Sequence, residues 1–544
     1  MVEGSKSSAS YLAHTYHTKV PPEVVEQAVR TFSLPGEVVL DPFAGSGMTG
    51  VGALAAGRRA ILVDLSPAAA FLSQAHGTPV NIAAFDRAVR RVTSTVSQEG
   101  AWLYAAVCPG CGLGARLAKA IWSEVVACPA CSGAIRVYDA ALGEDQRIHQ
   151  AFVCAACGRR LRRGKGRRLR FDLAFVETSC DGCGRMRTQP RSTDLRRVRD
   201  IDTVGVPPHY WYPDEAVAWG DMWRRGYHEG IERYADFYTT RSLWMLGALH
   251  RGVLQEQDAQ IRSALLFVFT SLVWHGSKMR RFNAFGGARP MNGALYLPAV
   301  FEETNLVTLW GHKAKMVASH YAHIASFDRG ALAAGVGSAT DLAPIPDESV
   351  DFVCTDPPYG GNILYSEVNA LWEAWLLART DATDEVVVSR SQGKGIDEYR
   401  RLLTAAFREC YRVLRPGRWM TLTFNTSHGQ VWEALQRALF DAGFDARFVQ
   451  VLNKGHRSFK QLTCTTIAGY DIVVSARKPT RPRRATKPTR ASPDEIAQLV
   501  AALRPPGDLD RRSVQQLYAQ VVAALLRKQR LASISVRDLF ALAT

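Results

Sequence analysis

The pattern of apolar and polar residues divides the chain into blocks of different character. Residues 37–64 have the pattern of a strand, a glycine-rich turn, a helix and a second strand that ends at Asp64. Alternating strand and helix patterns return in residues 331–478, in stretches such as "VDFVCTD", "EYRRLLTAAFRECYRVL" and "YDIVVSAR". Because strands that alternate with helices form parallel sheets, we predict one α/β sheet domain built from residues 1–75 and 331–478.

Two unlike blocks interrupt this predicted domain, and a third part follows it. Residues 100–200 hold most of the cysteines, and residues 201–330 combine aromatic residues with the apolar spacing of helices. Residues 479–493 are rich in proline and arginine and predict a basic linker, because proline fixes φ and removes a backbone donor. Residues 494–544 return to helical spacing and predict a small helical C-terminal region.

Length and charge narrow the class of protein. A chain of 544 residues is long enough for about three or four domains. The net charge of +16 attracts polyanions, and basic residues cluster in Arg159–Arg170 and Arg477–Arg490, so nucleic acid is the favoured partner over a merely solvated basic surface. The N-terminus has no signal-peptide pattern, and the most apolar run, Ala264–Trp274, is too short to cross a bilayer. We therefore expect a cytoplasmic protein without a membrane partner.

The glycine-rich turn "DPFAGSG" at residues 41–47 has the pattern of a nucleoside-binding site. Gly45 and Gly47 would let the backbone pass close to a ligand, and Asp64 at the end of the next strand can accept both hydroxyls of a ribose. The turn lacks the lysine of a triphosphate-binding loop, which argues against a nucleotide triphosphate. A tight turn without a ligand is the alternative interpretation.

This turn, taken together with "TDPPYG" at residues 355–360, is similar to the motif pair of S-adenosylmethionine-dependent amino-group DNA methyltransferases, the N6-adenine and N4-cytosine family. The N-terminal "YHTKVPPEVV" resembles the segment that lies over the methionine end of the cofactor in such enzymes. The resemblance implies a Rossmann-like methyltransferase sheet and prokaryotic origin. It also implies contacts to S-adenosylmethionine from His17, Thr18, Lys19, Asp41, Phe43, Gly45, Gly47, Asp64 and, at the adenine, Asp341.

The tetrapeptide "DPPY" at residues 356–359 is either a rigid turn or a reaction centre. The amine of a base is a weak nucleophile, and the Asp356 side chain and the Pro357 carbonyl could each accept one of its hydrogens. Pro357 and Pro358 would fix these acceptors in place, and the ring of Tyr359 could stack on an extruded base. In the resembling family "DPPY" accompanies adenine N6 more often than cytosine N4, so adenine N6 is the predicted target and cytosine stays open.

The cysteine block predicts two structural zinc sites. Its four CxxC pairs are Cys108 with Cys111, Cys128 with Cys131, Cys154 with Cys157, and Cys180 with Cys183. Two such pairs complete one four-thiolate tetrahedron, and four thiolates leave no open position for catalysis. Consecutive pairs would combine along the chain, or the inner two pairs would combine and the outer two likewise. Disulfides are disfavoured without a secretory signal.

Basic residues in both inserted blocks predict contacts to nucleic acid. Arg162, Arg163 and Lys165 lie between the third and fourth cysteine pairs, where a zinc ribbon would present them to phosphates. Lys278, Arg280 and Arg281 lie among aromatic residues of the second block and could contact phosphates or base edges. Core packing is the alternative for most of these aromatic residues.

The motifs together predict an enzyme that methylates double-stranded DNA, and family analogy suggests a restriction-modification or phage-defence role with defence-system partner proteins. Two other functions remain open. Some RNA methyltransferases that modify guanine N2 of transfer RNA also carry a "DPPYG" end. A non-catalytic, zinc-dependent nucleic-acid-binding subunit that retains the methyltransferase fold is the third possibility.

Overall fold

The computed structural model describes residues 7–164, 166–290, 293–426, 428–453, 470–481, 488–505, 511–531, 534–535 and 538–539. Its α-helices are α1 (Ala9–Ala13), α2 (Pro22–Phe32), α3 (Met48–Ala55), α4 (Pro67–Gly77), α5 (Ile82–Thr95), α6 (Ser97–Leu103), α7 (Val137–Ala141), α8 (Ser192–Val204), α9 (Thr240–Leu254), α10 (Ala259–Val273), α11 (Leu306–His323), α12 (Tyr365–Trp375), α13 (Ile396–Val413), α14 (Gly429–Asp441), α15 (Pro493–Leu503) and α16 (Arg511–Arg527). Short 3-10 helices cover Tyr234–Phe237, Arg329–Ala331 and Ala382–Asp384.

The strands are short except for two in the cysteine block. They are β1 (Val38–Asp41), β2 (Arg59–Asp64), β3 (Ala105–Val107), β4 (Gly114–Ala127), β5 (Ala134–Arg136), β6 (Ala151–Val153), β7 (Arg160–Arg162), β8 (Arg167–Cys180), β9 (Gly184–Thr188), β10 (Arg280–Arg281), β11 (Arg289–Pro290), β12 (Val300–Thr304), β13 (Leu332–Val336), β14 (Val350–Thr355), β15 (Leu414–Phe424), β16 (Asp445–Asn453), β17 (Tyr470–Arg477), β18 (Thr489–Arg490) and β19 (Arg530–Leu531).

Seven strands form the first sheet, in the order β13-β2-β1-β14-β15-β17-β16. Neighbours pair in parallel except β17, which runs antiparallel to both β15 and β16. The strand order reverses between β1 and β14, so the loops after these two strands diverge and leave a crevice at the carboxyl ends of the strands. Strands and helices are mixed as predicted, which confirms the α/β class.

The second sheet is antiparallel and joins the two inserted blocks. Its strands follow the order β11-β10-β12-β4-β8-β9, and β3 and β5 also pair with β4. β12 belongs to the block that was predicted to be helical, yet it pairs with β4 of the cysteine block from Val300 opposite Ser123 to Thr304 opposite Lys119. The strands β10 to β12 are two to five residues long, too short to show a clear alternation of apolar and polar positions.

The helices of the second inserted block pack against the first sheet's own helices. Most side chains of α9 and α10 are buried. The indole nitrogen of Trp372 on α12 donates to the carbonyl of Thr270 on α10 at 2.9 Å, and that of Trp375 donates to the Tyr238 hydroxyl at 3.0 Å. These aromatic residues are therefore core residues. Among the described residues, no helix combines the length and the apolar character that crossing a membrane requires.

The C-terminal region packs onto the first sheet. Buried side chains of α16, such as Tyr518 and Val522, share one apolar core with α13, α14 and the strands. A guanidinium nitrogen of Arg527 donates to the carbonyl of Val449 on β16 at 2.6 Å. Within the predicted linker, β18 pairs in parallel with β19, while residues 482–487 lie outside the described part. The helical C-terminal residues thus extend the core of the sheet.

Candidate active site

A cavity of about 900 Å³ opens at the carboxyl ends of the parallel strands, where the strand order reverses. The residues that line it at this edge include Tyr16, Thr18, Asp41, Phe43, Gly45, Asp64, Ser66, Ser338, Ala339, Asp356, Pro358 and Tyr365. The fold therefore brings the turn after β1, the end of β2 and the "DPPY" segment after β14 to one cavity. These segments are far apart in the sequence and meet because their strands are neighbours in the sheet.

Asp41 holds the glycine-rich turn in shape. Its buried carboxylate accepts hydrogen bonds from the hydroxyls of Thr49 at 2.6 Å and Thr355 at 2.7 Å, and from the backbone N–H of Phe43 at 3.1 Å. Burial raises the pKa of Asp41, and these three hydrogen bonds oppose the rise. The side chain predicted to contact a cofactor is thus also the tie between β1, α3 and β14.

Asp64 ends β2 with both carboxylate oxygens facing backbone donors. One oxygen accepts from the N–H of Gly45 at 2.7 Å and the other from the N–H of Ser66 at 2.9 Å. Burial raises the pKa of Asp64 to about 6, although the two backbone hydrogen bonds act in the opposite direction. Each oxygen keeps a further lone pair, so the carboxylate can accept two more hydrogens from a ligand in the cavity.

The two glycines of the turn have different reasons to be glycine. Gly45 lines the cavity with φ of +51°, and a Cβ there would lie 3.1 Å from the ring of Tyr16. Gly47 precedes α3 with φ of +78°, and a Cβ there would lie 2.5 Å from the Cα of Ser73 on α4. Gly47 is not among the lining residues, so the structure gives it a role in packing α3 against α4 where we had predicted a cofactor contact.

The N-terminal segment "HTK" contributes only one of its three predicted residues to the cavity. Thr18 lines it and shares a hydrogen bond of 2.9 Å with the hydroxyl of Tyr365. His17 does not line it: its Nε2 donates to Asn369 Oδ1 at 3.0 Å, and its Nδ1 accepts from the N–H of Gly293 at 3.1 Å. Burial lowers the pKa of His17 to about 3, so the imidazole is neutral and joins two neighbouring segments.

Lys19 lies in the interior below the cavity. Its ammonium donates to the carbonyls of Ser10 and Tyr11 at 3.0 Å and to that of His14 at 3.2 Å. These carbonyls belong to the end of α1, so Lys19 caps a helix where we had predicted a cofactor contact. Burial lowers its pKa to about 7.

Asp341, predicted at the cofactor's adenine, is exposed and is not a lining residue. Its carboxylate accepts from the N–H of Ala343 at 3.1 Å and shapes the loop after β13. Ser338 and Ala339, which lie closer to the end of β13, occupy the cavity wall in its place. Asp341 therefore has no place in the cavity wall of this structure.

The "DPPY" segment forms a braced turn directly after β14. The hydroxyl of Tyr359 donates to Asp356 Oδ1, and the hydroxyl of Tyr399 on α13 donates to the carbonyl of Pro358 at 2.7 Å. The ring of Tyr359 meets that of Phe424 edge-on at 4.8 Å between centroids. Burial and the neighbouring Asp356 hold the pKa of Tyr359 well above its usual value, so the phenol remains a donor.

Three residues near the cavity were missed in the sequence. Tyr16 lies between the ring of Trp372, stacked at 5.9 Å, and that of Tyr365, stacked at 6.3 Å. Glu373 is buried on α12 and accepts from the Ser66 hydroxyl at 2.5 Å. A carboxylate inside the apolar run "LWEAW" was the available signal, because buried acids need partners. Tyr16 and Tyr365 carried no signal apart from their position next to the motifs.

The eight paired cysteines form two clusters. The outer pairs, Cys108/Cys111 and Cys180/Cys183, make one, and the inner pairs, Cys128/Cys131 and Cys154/Cys157, make the other. Our first combination, of consecutive pairs, is wrong because β4 and β8 run antiparallel. That pairing places the start of β4 beside the end of β8, so the first cysteine pair meets the fourth and the second meets the third.

The sulfur positions fit four-coordinate metal sites. Within each cluster the four sulfurs lie within 4.8 Å of one another, and Cys111 to Cys180 and Cys128 to Cys157 both measure 3.7 Å. A tetrahedron with metal–sulfur bonds of about 2.3 Å places its sulfurs about 3.8 Å apart, whereas a disulfide requires about 2.05 Å. The geometry is that of thiolate metal sites.

Three of the six predicted nucleic-acid contacts are engaged inside the protein. Arg163 donates to the carbonyl of Leu297 at 2.5 Å, Lys278 donates to the carbonyl of Asp236 at 2.8 Å, and Arg280 pairs with Glu302 at 3.0 Å. Of these, Arg163 joins the two inserted blocks, whereas Lys278 and Arg280 are bound within the second block. Arg162 and Arg281 are exposed and have no ion pair within the described part of the chain, and Lys165 lies outside the described residues.

Comparison with known proteins locates the similarity. Residues 3–74 match the family model N6_N4_Mtase, described as DNA methylase, which supports a methyltransferase. This region contains the N-terminal segment, the glycine-rich turn and Asp64. No curated protein matches the chain.

Several solved structures are similar to part of the chain. A protein of Thermus thermophilus, provisionally described as a DNA modification methylase, has 19% identity over 30% of this chain with a TM-score of 0.18, and this chain spans 61% of its length. The same protein complexed with S-adenosyl-L-methionine has 21% identity over 30% of this chain and 64% of that one, with a TM-score of 0.18. An S-adenosylmethionine-dependent methyltransferase of Methanosarcina mazei has 13% identity over 28% of this chain and 68% of that one, with a TM-score of 0.16.

Replacing Lys19 by alanine should destabilise the protein and leave the cavity intact. Three carbonyls would lose their donor, and we expect the free energy of unfolding to fall by about 1–3 kcal/mol. Denaturant unfolding measures this loss, and calorimetry with S-adenosylmethionine should give an unchanged Kd. Lys315→Ala, an exposed position on α11, is the matched control. A Kd weakened more than tenfold in Lys19→Ala with little loss of stability would restore Lys19 as a cofactor contact.

Proposed function

We propose that the protein is a DNA methyltransferase that transfers the methyl group of S-adenosylmethionine to the exocyclic amine of a flipped base, with adenine N6 as the target. One observation carries the proposal: Asp64, suited to a ribose, and Asp356, suited to an amine, line one cavity at the carboxyl ends of the strands. The match of residues 3–74 to DNA methylases and the charge of +16 support it.

The residues of the cavity fit the cofactor. Phe43 and Gly45 line its wall beside Asp64, and Gly45, which has no side chain, lets a ligand approach the backbone there. The remaining lone pairs of the Asp64 carboxylate suit the two hydroxyls of a ribose. When bound, S-adenosylmethionine supplies an electrophilic methyl group on a sulfonium.

The braced turn suits the amine. The Asp356 carboxylate accepts from Tyr359, and because a carboxylate can accept several hydrogen bonds at once, it can also accept a hydrogen of the amine. Tyr399 occupies the Pro358 carbonyl, whereas the Pro357 carbonyl receives no hydrogen bond from the described residues and can accept the second hydrogen. Two acceptors draw the nitrogen lone pair out of the ring plane toward the methyl group. Transfer would break the methyl–sulfur bond and leave the cofactor as a neutral thioether, S-adenosylhomocysteine, and the nitrogen, now cationic, would lose one proton to Asp356 or water.

The two cysteine clusters complete the proposal as structural zinc sites. Each would fix one end of the long β4–β8 pair. Arg162 and Arg281 remain as proposed contacts to DNA, since both are exposed. A restriction-modification or phage-defence setting stays part of the proposal by family analogy.

Replacing Asp356 by alanine should abolish methyl transfer and spare cofactor binding. The amine would lose a charged acceptor, and we expect the rate to fall at least about 100-fold. Incorporation of tritiated methyl into genomic DNA measures the rate. Mass spectrometry of the nucleosides from the digested DNA identifies the methylated base. Asp341→Ala, exposed and outside the cavity wall, is the control and should keep full activity. If the wild-type protein labels transfer RNA but not DNA, the result would instead favour an RNA methyltransferase. If it labels neither, the proposed methyltransferase activity is refuted.

Cofactor affinity should weaken at acid pH through Asp64. The pKa of this carboxyl is raised to about 6, so the free protein takes up a proton below that value, whereas the ribose hydroxyls bind the carboxylate. Affinity is therefore full above pH 6 and falls by up to about tenfold per pH unit below it. Calorimetry across this range should give a flat, weak profile for Asp64→Asn, while Asp341→Asn keeps the wild-type profile. A pH-independent affinity in the wild type would contradict this role.

Each chain should contain two zinc ions. Elemental analysis of the purified protein is expected to give two equivalents, because two four-thiolate clusters are present. Cys111→Ser should remove the ion of the outer cluster and Cys131→Ser that of the inner one, so each variant retains one equivalent and the double variant none. Two equivalents in both single variants, or none in the wild type, would show that these cysteines do not bind zinc.

A further inference from the structure

The hairpin of β10 and β11 ends in an unusual tip. Phe285 lies at the turn with 74% of its side chain exposed, more than any other phenylalanine among the exposed hydrophobic residues of the described chain. Gly286 and Gly287 follow it with φ of +84° and +70°, conformations that favour glycine. Two glycines thus shape a turn that presents an aromatic ring to solvent. Exposure of so much apolar surface is unfavourable without a partner.

Two of the three arginines in the stem of this hairpin have no counter-charge among the described residues. Arg281 and Arg289 lie directly opposite each other in the antiparallel pair, and both are exposed. Like charges in directly opposite positions destabilise a hairpin, and neither arginine has an acidic partner among the described residues. The arrangement is relieved when an anion lies beside the two guanidiniums.

A third cation reinforces the charge at the base of the hairpin. The side chain of Lys313 on α11 is 8% exposed and has no hydrogen bond or ion pair within the described part of the structure. Burial lowers its pKa to about 8, and the nearby positive charges of Arg280 and Arg289 contribute to this lowering. Arg280 is neutralised by Glu302, so Arg289 and Lys313 leave a net positive potential on this side of the hairpin.

The hairpin connects directly to the candidate active site. Gly293, three residues beyond the end of β11, donates to His17, and a Cβ on it would lie 3.3 Å from Ile363. Ile363 follows the "DPPYGGN" segment, and three residues of extended chain span at most about 11 Å. Pro290, at the end of β11, therefore lies within about 11 Å of Gly293, which packs beside Ile363 just after the "DPPYGGN" segment.

We propose that this hairpin is a DNA-engaging arm in which Phe285 inserts into the base stack next to the extruded base while Arg281 and Arg289 bind the flanking phosphates. The inference rests on the proposed function for its choice of partner. Insertion of an apolar side chain between two stacked base pairs is a known means of distorting a duplex. The extruded target base has already left the stack, which lowers the remaining cost of unstacking beside it. Guanidiniums on either side of the wedge hold the backbone while the stack opens.

Insertion of a ring unwinds the duplex, and this can be measured without methyl transfer. A nicked plasmid that the protein methylates, or any plasmid that it binds if none is methylated, is ligated with saturating protein and S-adenosylhomocysteine. The shift in linking number is then read on a gel. We expect a shift with the wild type, loss of most of it with Phe285→Ala at equal occupancy, and retention with Leu34→Ala. Leu34 is 63% exposed and lies in the loop before β1, on the opposite edge of the sheet, so it controls for lost apolar surface.

The outcomes distinguish the proposed insertion of Phe285 from the proposed methyltransferase activity. Unwinding that depends on Phe285 without any methylated product would support the arm and refute the proposed activity. Methylated product with no unwinding by the wild type, or with equal unwinding by Phe285→Ala, would refute the insertion of Phe285. Because the exposed ring makes few contacts, Phe285→Ala should fold, and its circular dichroism and melting temperature verify this.

The charged stem has its own test. Binding of a fluorescent duplex of about 30 base pairs over a range of salt concentrations gives a slope of log Kd against log salt. Replacing both Arg281 and Arg289 by glutamine should reduce that slope by about 2, since each phosphate contact contributes about 0.9. Arg87→Gln with Arg90→Gln, two exposed positions on α5, is the matched control and should leave the slope unchanged. An equal slope in both double variants would show that the stem does not bind phosphate.

Discussion

One buried carboxylate, that of Asp41, joins the two halves of the sheet at the point where the site forms. It accepts from Thr49 at the start of the helix after the glycine-rich turn and from Thr355, the residue before Asp356. The insertions separate these residues by most of the chain, and the parallel pairing of β1 with β14 brings them together. The glycine-rich turn and the "DPPY" turn thus share one hydrogen-bonded support.

The sequence was sufficient to predict the strands of the sheet and the residues at which they end. The ends of β1 and β2 follow from apolar runs stopped by Asp41 and Asp64, and the existence of two four-cysteine clusters follows from the CxxC spacing, although which pairs combine does not. Residues that were assigned to the cofactor because of a family resemblance do not all lie at the cavity. Thr18 lines it, whereas Lys19 caps α1 and Asp341 faces solvent. The direction of a side chain depends on packing around it, and a short motif does not contain that information.

The inserted blocks show the same limit at a larger scale. Aromatic residues beside arginines suggested a nucleic-acid surface, yet Tyr238 and Trp274 of the second block are buried, and Arg280 is paired with Glu302. The strand that joins both blocks, β12, is five residues long and pairs with a strand far away in the sequence. Contacts of this kind become visible only when the partner strand is known, because nothing in a five-residue segment specifies its register.

The nested arrangement of the cysteine pairs has a consequence for synthesis of the chain. The inner cluster is complete once Cys157 has left the ribosome, whereas the outer cluster must wait for Cys183, after the whole of β8 has been made. The proposed zinc ions would therefore load in the order of emergence, the inner ion first, and the outer ion would close the far end of the β4–β8 pair last.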